Sequence, residues 1–202
     1  TTALTRIAAR KKLGAAKSWA YQLKYWHMPR LEGSAFDVFV MDHAILRPRA
    51  QPRPVTPEEL KITKQRGSSP DRLVLAYLSI GEAESYRGYW RETWTHAETR
   101  PVWLQAENPD WANNYPVNFW DPDWQRLMFG APEAYLDQII AQGFDGVYLD
   151  RADVYEDLLG IEPRAEALMI DFITRLANYA RAIAHSFLVV LQNAEELLRS
   201  AP

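Results

Sequence analysis

The 202-residue chain contains no cysteine, which excludes a disulfide scaffold and thiolate metal sites. It has no apolar run near the roughly 18 residues that a membrane-crossing helix needs. Its glycines form no dinucleotide fingerprint, Walker loop or Gly-x-Ser-x-Gly elbow, so neither a phosphate-binding loop nor a nicotinamide cofactor is indicated. The four histidines (His27, His43, His96 and His185) are scattered. None has His-x-His or His-Glu-x-x-His spacing, and Asp150 with Asp153 lacks supporting ligands, so no metal and no other cofactor is expected. Acidic and basic residues nearly balance, 26 against 23. A net charge of −3 gives no electrostatic reason for a nucleic-acid partner. The first residue is Thr1 rather than Met. The chain is therefore read as a processed or trimmed product, which leaves room for a lost export signal.

What is present is an ordinary globular composition, 48% hydrophobic and 24% charged, long enough for one domain with a sizeable core. Tryptophan is unevenly placed. Six of the eight, Trp90, Trp94, Trp103, Trp111, Trp120 and Trp124, fall in one stretch rich in Pro, Asn and Asp. Each alone reads as core. Six together in polar loops also suit a sugar-binding cleft, where a flat ring covers the C–H face of a pyranose.

Residues 1–18 carry Arg6, Arg10, Lys11, Lys12 and Lys17 among alanines and read as a basic arm or short helix. The domain proper spans 19–202. Trp19 to Trp26 suggests a first strand and Phe36 to Asp42 a second. Thr56-Pro-Glu-Glu supplies an N-cap, a proline at the first helical position and acids in the first turn of a helix running to Gly67. Residues 68–71 read as a turn, and Leu73 to Ile80 as a strand. Residues 82–121 have little periodicity and read as a long loop with short insertions, of a length that tends to be functional. Asp121-Pro-Asp-Trp opens a helix that continues through Tyr135 to a C-terminal Gly143. The strand Phe144 to Asp150, a long helix from Glu162, the strand Phe187 to Leu191 and a last helix from Gln192 complete the pattern. Alternating strands and helices imply a parallel sheet. A closed eight-stranded barrel usually needs about 250 residues.

Three strands end on acids or near them: Asp42, Glu82 and Asp150. Parallel α/β folds keep their chemistry at the carboxyl ends of strands, so these acids are expected to rim one pocket. Paired carboxyl groups point to glycoside hydrolysis, with one acid protonating the leaving oxygen and the other acting as base or nucleophile. Asp150 is the first choice for that pair. Glu82, after a turn-making Gly81, is either an acid in the site or a loop brace. Asp42 is either a subsite residue or a brace. Asp153 either contacts substrate or answers the helix dipole, and Glu195 is either an acid of the site or a helix-capping residue. Gln192 and Asn193 offer both donors and acceptors to sugar hydroxyls.

With these segments placed, the chain resembles glycoside hydrolase family 114, the endo-α-1,4-polygalactosaminidase-like proteins. The resemblance rests on Phe36–Asp42, Leu75–Arg87, Tyr115–Trp124, Gly143–Glu156 and Val190–Leu198, in that order. It implies a (β/α)8 TIM-barrel glycosidase, secreted or at the cell surface, acting on α-1,4-linked galactosamine-rich polysaccharide. Asn118 stands where the family pattern leads one to expect arginine. Family members continue beyond the Gln192–Glu196 segment, so the last βα units and a second catalytic carboxylate are expected past Pro202. On this reading Asp150 is catalytic with Glu82, Glu195 or an outside residue. Tyr77, Trp103, Trp120 and Asp121 line the groove, and Asp42, Asp153, Gln192 and Asn193 bind substrate. The expected partner is the polysaccharide alone, bound by a monomer. The alternative is a catalytically inactive carbohydrate-binding domain on the same scaffold.

Overall fold

The computed structural model describes residues 2–24, 34–45, 52–65 and 72–200. Its centre is a five-stranded sheet: β1 (Trp19–Gln22), β2 (Val38–Asp42), β5 (Leu73–Ser79), β8 (Gly146–Asp150) and β9 (Leu188–Leu191). They lie side by side in that order, and every pairing is parallel. The order matters. A doubly wound sheet reverses its strand order at a switch point, whereas here the chain moves one way across the sheet, as it does around a barrel. Among the described residues both outer strands have a free edge. The fold is thus of the (β/α)8 barrel type, with five consecutive strands of the wall.

Side chains alternate between the two faces of each strand. One face carries Phe39, Met41, Val74, Ala76, Leu78, Val147 and Leu149 into the main core. Covering that face are α2 (Pro57–Lys64), α3 (Pro122–Met128), α4 (Tyr135–Gln142), α5 (Val154–Leu158) and α6 (Ala165–Ile183). The concave face carries Val38, Val40, Leu75, Tyr77 and Leu188, and Leu13 and Ala16, from the end of helix α1 (Thr2–Gly14) and just after it, lie against it. Strands β2 and β5 are buried on both faces, which explains their continuous apolar runs.

Local chemistry sets the boundaries. Thr56 and Glu59 form a complete capping box at α2, as the sequence predicts. The helix ends at Lys64, where Gln65 turns extended at ψ 135°, short of the expected Gly67; the turn at 68–71 and the part of the Trp19–Trp26 stretch beyond residue 24 lie outside the described residues. Gly143 adopts φ 93° after α4, a left-handed C-cap that a side chain would strain. The helix expected over 121–142 is two helices, because Gly130 at φ 100° and Pro132 interrupt it.

Residues 82–121, expected as a long loop with short insertions, contain regular elements of their own. Strands β6 (Glu82–Glu84) and β7 (Asn114–Pro116) pair antiparallel, and a 3-10 turn spans Glu92–Thr95. Short antiparallel strands β3 (Ala44–Ile45) and β4 (Arg53–Pro54) form a separate ribbon, and α7 (Leu197–Ser200) closes the described chain. Tryptophans fill the inside of the insertion. Trp94 packs on Trp103 at 5.2 Å, and Trp103 on Trp124 at 5.2 Å. The Trp124 Nε1–H donates to the Ile80 carbonyl at 3.0 Å, which ties the insertion to the end of β5.

Candidate active site

A cleft of about 810 Å³ opens where β5, β8 and β9 end. That is within the range of about 300–1,000 Å³ seen for small-molecule sites. Asp150, the last residue of β8, lines it together with Tyr77, Glu82, Glu84, Tyr148 and Arg151. The pleat explains the grouping. Tyr148 and Asp150 are two apart on one strand, and Tyr77 and Ser79 sit opposite them in register, so all four share the concave face.

The Tyr77 hydroxyl donates to Asp150 Oδ2 at 2.7 Å, and the Arg151 backbone N–H donates to Oδ1 at 2.9 Å. Asn193 Nδ2 reaches the same Oδ1 at 3.5 Å. Arg151 achieves its part by adopting φ 58°, a conformation that costs a non-glycine residue about 1–3 kcal/mol. Gly81 makes room for that turn, since a Cβ there would lie 2.1 Å from the Arg151 carbonyl oxygen. The glycine between β5 and Glu82 is therefore required by close approach, not by a positive φ. Burial, and after it the charges of Glu84 and Asp150, push the Tyr77 hydroxyl well above its ordinary pKa, so it stays a donor.

Glu82 begins β6 and is 3% exposed. Its Oε1 accepts from Asn108 Nδ2 at 2.8 Å and pairs with Arg151 Nε at 3.0 Å. Its pKa is raised, chiefly by burial and further by the charge of Asp150, against the opposing pull of Asn108 and Arg151. Arg151 also reaches Asp153 at 3.2 Å and Asp157 at 3.0 Å.

Beneath the cleft lies a buried ionic triad. Arg87 Nη2 pairs with Asp42 Oδ2 at 2.8 Å, and Arg87 Nε with Glu84 Oε2 at 2.6 Å. The Tyr86 hydroxyl bonds Glu84, and the Ala44 backbone N–H donates to Asp42 Oδ1 at 2.9 Å. The guanidinium sits 5.1–6.0 Å from the ring centroids of Tyr86, Tyr135 and Tyr77. This packing of one charge against three rings and two acids fixes the floor on which Tyr77 stands.

The structure brings Asp150, Glu82, Tyr77, Gln192 and Asn193 together in the cleft. It does not bring the other expected residues there. Asp42 is fully buried, engaged with Arg87, and has no face for substrate. Trp103 is 3% exposed because the insertion's core takes it. Trp120 packs edge-on against Phe119 at 5.0 Å, outside the cleft lining. The Asp121 carboxylate accepts from the Asp123 N–H at 2.8 Å and is the N-cap of α3. Asp153 is occupied by Arg151. Glu195 is exposed and not part of the cleft lining. Sequence reasoning missed Tyr148, although its i, i+2 spacing from Asp150 announced a shared face. It also missed Glu84, Tyr86, Arg151 and Asn108, whereas Trp111, one of the six clustered tryptophans, does line the cleft.

A family model described as glycoside-hydrolase family GH114 matches residues 1–201. The chain belongs to GH114. Relatives named only as uncharacterized proteins occur in Deinococcus radiodurans (37% identical over 98% of this chain and 60% of that protein) and Methanocaldococcus jannaschii (39% identical over 89% and 50%). The chain thus spans about half to three-fifths of the length of the curated relatives it matches. Among solved structures, Aspergillus fumigatus Ega3 in complex with galactosamine is similar at TM-score 0.66 and 22% identity, over 91% of this chain and 62% of that one. The glycoside hydrolase domain of Pseudomonas aeruginosa PelA is similar at TM-score 0.65 and 17% identity, over 93% and 64%. At these identities the likeness establishes the GH114 chain's fold, that of TIM-barrel glycoside hydrolases.

Proposed function

We propose that this protein hydrolyses an α-1,4-linked, galactosamine-rich polysaccharide by paired-carboxylate catalysis. The observation that carries the reading is the pairing of two unlike carboxyl groups in one cleft. Asp150 is open to the cleft and oriented by Tyr77 and the Arg151 amide. Glu82 is nearly dehydrated, with its pKa raised chiefly by burial. A buried carboxyl group that holds its proton, in the same cleft as a second carboxyl group oriented by hydrogen bonds, is the arrangement that acid-assisted glycoside cleavage needs. In this reading Glu82 delivers a proton to the leaving oxygen, and Asp150 either takes a proton from the water that attacks the anomeric carbon or attacks that carbon itself, the covalent intermediate then being released by water. Gln192 and Asn193 hold sugar hydroxyls. Membership of GH114 and the likeness to a galactosamine-bound structure support the substrate class. Such a polymer lies outside the cell, and the protein acts there or at the cell surface. Among the described residues no helix is long and apolar enough to cross a membrane.

One observation favours a second reading, a carbohydrate-binding domain without catalysis. Arg151 pairs with Glu82 at 3.0 Å, and a neighbouring cation favours the charged rather than the proton-donating form. Incubation with an α-1,4-galactosamine polymer and an assay for new reducing ends separates the two. Hydrolysis that falls by at least about a thousandfold in Asp150→Asn and Glu82→Gln, with binding retained, fits loss of a catalytic carboxyl group. Polymer binding without any reducing ends supports the silent domain, and absence of binding removes both.

A further inference from the structure

We propose that Trp111 is a stacking platform for a second sugar unit at the cleft mouth, adjoining the unit held at Asp150. The inference rests on the functional reading above and concerns how far the site extends. Trp94, Trp103 and Trp124 of the same segment are buried in the insertion's core, but Trp111 is 68% exposed while lining the cleft. Core packing therefore does not account for it. An indole left in water exposes a large flat apolar face, which is costly unless something covers it.

The loop that carries it is built rather than slack. The Trp111 N–H donates to the Asn108 carbonyl at 3.3 Å, and the Asn114 N–H to the Trp111 carbonyl at 3.1 Å. The Glu107 carboxylate accepts from the Asn113 N–H at 2.6 Å, and Asn113 turns the chain at φ 69°. Asn108 connects this loop to the chemistry. Its Oδ1 accepts from the Asp110 N–H at 3.0 Å, while its Nδ2 donates to Glu82 Oε1 at 2.8 Å. One side chain thus fixes both the platform's loop and a pocket acid. A held aromatic face beside amide groups of Asn113 and Asn114, in a cleft of about 810 Å³, suits a second pyranose.

The test is calorimetric binding of galactosamine and of α-1,4-linked galactosamine oligomers of increasing length. The full chain is compared with Trp111→Ala and Trp111→Phe, in an Asp150→Asn background to prevent turnover. The platform predicts unchanged affinity for the monosaccharide in Trp111→Ala. It predicts a loss of about tenfold for the longer oligomers, equivalent to ~1.4 kcal/mol. Phenylalanine keeps a flat face and recovers part of that loss. Because Trp111 is largely exposed, the thermal unfolding of Trp111→Ala should match that of the parent. Equal affinities of parent and Trp111→Ala at every length overturn the platform and leave the proposed function standing. A parent that binds no oligomer of any length overturns both.

Discussion

Arg87→Ala would leave Asp42 and Glu84 buried without their cation. Both acids are fully or almost fully out of water, at 0% and 3% exposure, and Arg87 itself is at 6%. Removing one partner of a buried ion pair costs about 3–5 kcal/mol, because the remaining charge is stranded. Here two charges are stranded, but each keeps one other donor, from Ala44 and Tyr86. Loss of the contacts with three tyrosine rings adds to the cost. We take about 4 kcal/mol at pH 7, a large part of the ~5–15 kcal/mol by which most domains are stable. Urea unfolding reads this directly. At a slope of about 2 kcal/mol per molar, the midpoint falls by roughly 2 M. Stranded buried carboxyl groups have raised folded-state pKa values, so they contribute most favourably when protonated, and that contribution fades as pH rises. The gap between Arg87→Ala and wild type should therefore narrow from pH 7 to pH 4.5, and Glu84→Gln in the Arg87→Ala background should recover part of it. A cost under about 1 kcal/mol at pH 7, or a gap that ignores pH, would refute the triad as the floor of the site.

Other outcomes are equally definite. His43 is buried with its pKa lowered to about 4, first by burial, against an unfolded value near 6.5. Its contribution to stability is complete above about pH 6.5 and is lost as pH falls towards 4, amounting to roughly 3 kcal/mol. Replacing it with phenylalanine should flatten the denaturation-midpoint profile across that window, and an unchanged profile would contradict its buried neutral state. Tyr77→Phe removes a hydrogen bond to the Asp150 carboxylate of a class worth about 1.5–3 kcal/mol, so the melting temperature should fall by roughly 3–12 °C and the catalytic rate, measured well below that temperature, by at least about tenfold; an unchanged rate would contradict the orienting role of Tyr77. Gly81→Ala would place a methyl against the Arg151 carbonyl and the Val154 side chain. We expect a loss above about 2 kcal/mol in chemical unfolding together with weakened activity, and a neutral outcome would mean the turn is not as tight as described.

Much of this protein was legible before any coordinates. The buried runs of β2 and β5, the capping box at Thr56 and Glu59, and the C-terminal Gly143 depend on neighbours in the chain, and local sequence carries that information. The meeting of Asp150 and Glu82 in one cleft followed from the rule that parallel strands present their carboxyl ends together. Which tryptophans face water did not follow. Trp103 and Trp111 belong to one aromatic-rich stretch, and only the folded insertion buries Trp103 between Trp94 and Trp124 while leaving Trp111 exposed along the cleft. Likewise Asp42 reads as a strand-end acid, yet Arg87, 45 residues away, claims it from below. Composition and periodicity determined the elements and their order, because those arise from contacts a few residues apart. The tertiary structure alone decided which polar groups were paired in the interior and which were left for a ligand, because that depends on partners distant in sequence.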